Sequence, residues 1–176
     1  METATTTRHD DAAPASRTGA HPDTGVPDQE AQDSLQLITF SLGEELFALD
    51  ILKVQEIIRV SPITPVPHTP DFVDGVLTLR GKIVPVIDLR TRLSLSRTGH
   101  GISTRVVVTN VRGQLLGLVV DRVHEVARLP LNKIESAATA GAAVHDYVHG
   151  VGRLGARLVT LLDIEAISVP LAAHAA

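Results

Sequence analysis

Two aspartates, Asp88 and Asp163, and two histidines four residues apart, His145 and His149, are the residues whose types could support acid–base or metal chemistry. Each has a plainer reading. Asp88 and Asp163 end apolar strand-like runs, where a carboxylate caps the helical turn that follows. His145 and His149 would share a face only on a helix, whereas Val148-His149-Gly150-Val151 reads as a strand entry with no third ligand at useful spacing. His68 lies between prolines, on a loop. The chain has no cysteine, which excludes disulfides, thiolate zinc sites and thiol nucleophiles. No Ser/His/Asp order and no phosphate-cradling glycine loop is found. The expectation is a protein without catalytic residues, bound metal or cofactor. One pair stands out for binding. Arg80 lies on a turn between apolar runs, and its guanidinium can fork onto a carboxylate, with Glu56 the candidate if an adjacent strand brings it near. The alternative is a structural ion pair that shapes the hairpin and meets no partner.

The elements that must position this pair are short. Hydrophobic residues make up 44% of the 176 and aromatic residues 2%, so the core is built from Val, Leu and Ile, which leans the fold toward β. A net charge of −4 offers no footprint for phosphate backbones, and the aromatic platforms of a single-strand binder are missing, so a nucleic-acid-binding barrel is disfavoured. No apolar run approaches the length of a spanning helix, and residues 1–33 lack the apolar core of a secretory signal, so a cytoplasmic protein without membrane insertion is expected. Those residues are poor in large aliphatics and predict a disordered tail. From Ser34 onward the alternation predicts ten strands, with Gly43-Glu44 and Arg80-Gly81-Lys82 as hairpin connections and a stiff loop over Ser61 to Pro70, where four prolines forbid a ladder. Ser136 to Ala143 reads as a loop or short helix.

The chain also repeats itself. Shifted by 69 positions, Ile38 to Arg59 lies on Val107 to Arg128, matching Val54 with Val123 and Glu56 with Glu125. Shifted by 75, Asp71 to Leu89 lies on Asp146 to Ile164, matching Gly75 with Gly150, Phe72 with Tyr147 and Asp88 with Asp163. Each copy supplies about five strands, too few to be stable alone. Residues present in both copies serve the shared fold, which is the reading for Gly75 and Gly150: a close approach or backbone conformation that no Cβ permits. Arg80, Gly81 and Pro85 face Gly155, Ala156 and Thr160, so the first copy's hairpin carries something the fold does not demand.

The run Gly75-Val76-Leu77-Thr78-Leu79-Arg80-Gly81, then Ile83 to Arg90, closely resembles the central signature of the CheW family of chemotaxis coupling proteins. Leu49 to Ile57, Leu115 to Asp121 and Tyr147 to Leu154 extend the similarity over about residues 35–167. Thr78 departs from the asparagine of many relatives. The resemblance implies an all-β fold of two intertwined five-stranded SH3-like β-barrels with short helical turns: a CheW-like domain over 34–167, subdomains at about 34–90 and 104–167, and a C-terminal tail over 168–176. It implies an adaptor joining the cytoplasmic tips of methyl-accepting chemoreceptors to the histidine kinase CheA, or serving a non-flagellar pathway of the same kind. It places receptor or kinase contacts at Val54, Glu56, Gly75, Arg80, Gly81 and Gly117, with Val54 on an exposed docking face.

Overall fold

The computed structural model describes residues 33–137 and 146–172. Eleven strands form two sheets. The first five are β1 (Ser34–Leu42), β2 (Glu45–Asp50), β3 (Val54–Arg59), β4 (Val73–Leu79) and β5 (Lys82–Asp88). A one-turn helix α1 (Leu89–Arg92) follows, then β6 (Arg105–Val111), β7 (Gln114–Val120) and β8 (Arg122–Pro130). The chain ends with β9 (Ile134–Ser136), β10 (Val148–Leu154), β11 (Arg157–Leu162) and helix α2 (Ile164–Ala172). The six-stranded sheet runs β8-β1-β2-β11-β10-β9 and the five-stranded sheet runs β3-β6-β7-β5-β4.

Numbered within each copy, both sheets read third, first, second, fifth, fourth. Each sheet takes the opening hairpin of one copy and the remaining strands of the other. Among the described residues, the parallel pairings sit where the copies meet, β5 beside β7 and β11 beside β2, in the same register: Val86 faces Gly117 as Leu161 faces Ala48. Both fourth strands carry a bulge at the same place, between Val73 and Gly75 and between Val148 and Gly150.

The eleventh strand was not expected. β9 is only three residues long and shows no alternation of its own, yet it pairs with β10 by placing Glu135 opposite Val151. Its counterpart is a single bridge in the proline-rich loop, where Thr64 and Val76 exchange amide hydrogen bonds of 2.8 and 2.9 Å. The prolines therefore suppress a ladder without preventing one two-bond contact. In both copies a glycine makes the contact possible. A Cβ on Gly75, at φ +138°, would stand 2.2 Å from the Thr64 carbonyl oxygen, and one on Gly150 would stand 2.7 Å from that of Glu135.

Packing explains why the central strands β6 and β7 are apolar almost throughout. One face of each contributes Val107, Val111, Leu116, Leu118 and Val120 to a core shared between the sheets, opposite Phe40, Phe47 and Leu49. The other face contributes Val106, Val108 and Val119 to a second core private to the five-stranded sheet. A smaller private core in the six-stranded sheet holds Leu37, Ala48, Leu129, Val159 and Leu161. Edge strand β3 instead alternates half-buried and exposed residues, the pattern of a strand packed on one face.

Two further expectations need correction. The hairpin between β4 and β5 has a two-residue connection, because Lys82 already pairs with Leu79. Helix α2 continues through Ala172, capped by Asp163, so the boundary expected at 168 falls inside it. The expected N-terminal tail, apart from Asp33, lies outside the described residues, as do His145 and most of the segment from Ser136 to Ala143.

Candidate functional site

Two of the expected site residues do not face solvent. Gly117 is buried, with a Cβ at its position 2.8 Å from Val106 Cγ1, so it packs the private core and offers no surface to a partner. Gly75 is buried beneath Thr64, where any side chain would collide with the Thr64 carbonyl. Val54 is half-buried against the shared core rather than on an exposed face, since the strand turns it inward with Glu56 and Ile58.

The remaining three lie together at one end of the five-stranded sheet. Arg80 and Gly81 are the central residues of the β4–β5 turn, at φ +50° and +77°, the type I′ form that fits the twist of a hairpin. Arg80 Nη2 lies 3.1 Å from Glu56 Oε2, a single contact and not a fork. The strands that bear them are not neighbours, because β3 and β4 are opposite edges of the sheet. The ion pair thus connects edge to edge, whereas the Thr64 bridge adds one loop residue to the free side of β4. Arg80 is 79% exposed and Glu56 24%, so the charge is presented to solvent while its partner is sheltered. A cleft of about 230 Å³ opens beside them, lined among others by Leu79, Lys82, Gly113 and Leu115.

The carboxylates singled out for chemistry are occupied. Asp88 Oδ1 accepts from the Arg90 amide at 3.0 Å, and its Oδ2 accepts from Thr91 Oγ1 at 2.8 Å. Asp163 Oδ1 accepts from the amides of Glu165 and Ala166. Both are helix caps. His149 is exposed on β10, and among the described residues no three His, Cys, Asp or Glu side chains are grouped to hold a metal.

Three polar clusters missed in the sequence brace these elements. Arg90 forks onto Asp121, with Nε 2.9 Å from Oδ1 and a second bond from Nη2 to Oδ2, and Gly43 N–H donates to the same carboxylate. Burial works against the charge on Asp121, but the Arg90 fork and the Gly43 amide outweigh it and hold the carboxyl below its usual range. Asp74 is the opposite case. Burial pushes its carboxyl up despite Arg97 alongside it, and Asp88 adds to the rise; Oδ2 has no hydrogen bond, with His100 Nε2 at 3.8 Å. The third cluster joins the copies. Arg92 lies between the rings of Phe72 and Tyr147, 4.2 and 4.3 Å from their centroids, and these are equivalent residues of the two repeats. No local pattern signals such long-range pairs. An Arg or Asp beside a strand end, with its counterpart unlike it in the other copy, was the one available hint.

Apolar exposure also repeats. Ile57 and Val126 are equivalent, 40% and 50% exposed, as are Ile83 and Leu158, 73% and 60% exposed. Each sheet therefore shows solvent an aliphatic pair that its own cores do not use. Capped carboxylates, a raised cationic turn and apolar exposure repeated on both sheets suit a protein-docking scaffold.

Comparison with known proteins agrees. A family described as the CheW-like domain matches residues 36–169. Chemotaxis protein CheW of Klebsiella aerogenes is 40% identical over 131 residues, covering 74% of this chain and 79% of the relative. That of Treponema pallidum is 34% identical, covering 79% and 85%. The crystal structure of scaffolding protein TtCheW from Thermoanaerobacter tengcongensis superposes with a TM-score of 0.72 at 34% identity, covering 76% of this chain and 91% of that one. The chain belongs to the CheW family of non-enzymatic chemotaxis adaptors.

Proposed function

We propose that this chain couples methyl-accepting chemoreceptors to the histidine kinase CheA on the cytoplasmic side of a chemosensory array, with Arg80, Gly81 and Glu56 at the contact. The observation that carries the reading is the Arg80-Gly81 turn: an exposed arginine in a left-handed conformation, at a position where the other copy has Gly155 and Ala156. Left-handed backbone is unfavourable for a side chain as large as arginine, and such outliers concentrate where function requires them. Val54, Gly75 and Gly117 support this surface from beneath, and replacing them would act on binding through the fold. Each sheet closes into a small barrel, a reading supported by its private core, by the Thr64 or β9 contact at its fourth strand and, in the five-stranded sheet, by the Arg80–Glu56 pair across its edges. The folded unit runs from Ser34 through helix α2 to Ala172. The aliphatic pairs on the two sheets suit contacts with similar barrels in a partner, since burying such surface supplies affinity while charges fix register. Among the described residues no helix is long and apolar enough to cross a membrane.

The test is co-sedimentation of purified CheA with receptor-containing membranes. The parent chain is expected to bring the kinase down. Arg80→Glu abolishes that transfer while Tm stays within about 3 °C, because an exposed ion pair adds little to stability. Sedimentation unaffected by Arg80→Glu would remove the turn from the contact.

A further inference from the structure

We propose that Arg112 is a second docking prong beside Arg80, and that the rim they share receives a helical segment of the partner bearing carboxylates about two turns apart. The proposal rests on the coupling reading above and extends it to a residue the sequence gave no reason to choose. The β6–β7 connection is Arg112-Gly113, with φ +50° and +85°, the same type I′ form as Arg80-Gly81. β5 and β7 are parallel neighbours, so the turns that precede them lie at the same end of the sheet, and Gly113 lines the same cleft as Arg80. Arg112 is 78% exposed, almost matching the 79% of Arg80.

The duplication supplies the control. The equivalent connections in the six-stranded sheet are Gly43-Glu44 and Gly155-Ala156, where glycine takes the positive φ. Neither turn of that sheet carries arginine, and both turns of this one do. A turn needs glycine or asparagine for its backbone, so an arginine at the strained position on both turns of one sheet answers to something outside the turn.

The cleft beside Arg80 has Leu79 and Leu115 on its walls, Lys82 next to Arg80, and Gly113 of the second turn at its rim. Each prong already rests on a carboxylate of its own chain, Arg80 on Glu56 and Arg112 on Glu165 at 2.9 Å, and Glu165 is shared with Lys53 at 3.3 Å. Exposed pairs of this kind are weak and exchange readily for a better-placed acceptor. Two strand spacings separate the connections, about 10 Å. Carboxylates seven residues apart on a helix are separated by about the same length. An acidic helix with small or apolar residues between its carboxylates would therefore reach both prongs and cover the cleft.

The full chain is titrated against a purified cytoplasmic chemoreceptor fragment at low and high salt, beside Arg80→Asn, Arg112→Asn and Glu165→Gln. Asparagine adopts left-handed backbone more easily than arginine, so the turn variants are expected to keep or raise Tm. Arg112→Asn should weaken binding about five-fold and flatten its salt dependence, whereas Glu165→Gln, which frees Arg112 and Lys53, should tighten it about two-fold. Unchanged affinity in Arg112→Asn, with Arg80→Asn weakened, overturns the second prong and leaves the coupling reading standing. Weakened binding accompanied by a fall in Tm assigns Arg112 to the fold and also overturns the proposal. If the parent binds neither fragment nor kinase, the coupling reading fails and the second prong with it.

Discussion

At the turn-bearing end of the five-stranded sheet, Arg80 and Arg112 hold left-handed backbone; at the matching end of the six-stranded sheet, glycine does so at positions 43 and 155. That second end is not neutral. Its cleft, about 370 Å³, has Arg122 and Arg157 on its walls, but its turn residue is Glu44, and Asp121 beside it is engaged by Arg90. Two sheets with one strand order thus separate what the architecture needs from what a binding surface adds. The bulge on the fourth strand and the capping aspartate recur in both; arginine turns do not.

If closure is one device used twice, glycine must matter at both fourth strands, in proportion to the clash. Gly75→Ala meets a backbone oxygen at 2.2 Å and also strains φ, and is expected to cost about 3–4 kcal/mol in urea unfolding; Gly150→Ala, with a 2.7 Å approach, about 2 kcal/mol. Equal costs, or the reverse order, would mean that the copies close differently. The join between copies comes next. Arg92→Leu removes the cation held between Phe72 and Tyr147 and should cost about 1–2 kcal/mol, and a Phe72→Leu/Arg92→Leu cycle should show coupling. Additivity would reduce the sandwich to coincidental proximity.

The smallest effect has a sign that differs between two aspartates. Asp121, held below its usual range, contributes stability that is present above the unfolded carboxylate pKa and lost as pH falls through the folded one. Asp74, pushed up, favours the fold at low pH, and that contribution is lost as pH rises through its folded pKa, with Arg97, Asp88 and His100 the charges facing it. Asp121→Asn should therefore cost about 1 kcal/mol at neutral pH and nothing in acid, discounted for partial exposure. Asp74→Asn should be no worse than the parent at neutral pH and lose ground in acid. Melting curves across pH 3 to 7 compare them, and parallel profiles would contradict the opposite environments.

The ten longer strands and the turn that carries Arg80 were legible because alternation and hairpin chemistry are local, and the internal similarity because it is found by sliding the chain along itself; Arg80 does meet Glu56, but by a single contact across opposite edges and not from an adjacent strand. β9 was not, because three residues cannot display a period and its partner lies beyond Ala137. Nor was Gly117 as a core residue: its counterpart is Ala48, and only the packing of Val106 shows that both belong to private cores. Arg112 escaped notice because the residue opposite it in the repeat is Gly43, and a difference acquires meaning only when the turns are seen to share an end.

Exchange of the opening hairpins sets the order of assembly on the ribosome. β1 and β2 are made before their neighbours in the sheet, β8 and β11, so this hairpin must wait until β11 has been synthesised before both its edges are covered. Contacts this distant in sequence make folding slow and leave strand edges open to other chains meanwhile. Cells that make much of this protein should therefore lean on a chaperone that shelters the nascent first half, and a transcript cut after the first copy should yield an aggregate in place of half a scaffold.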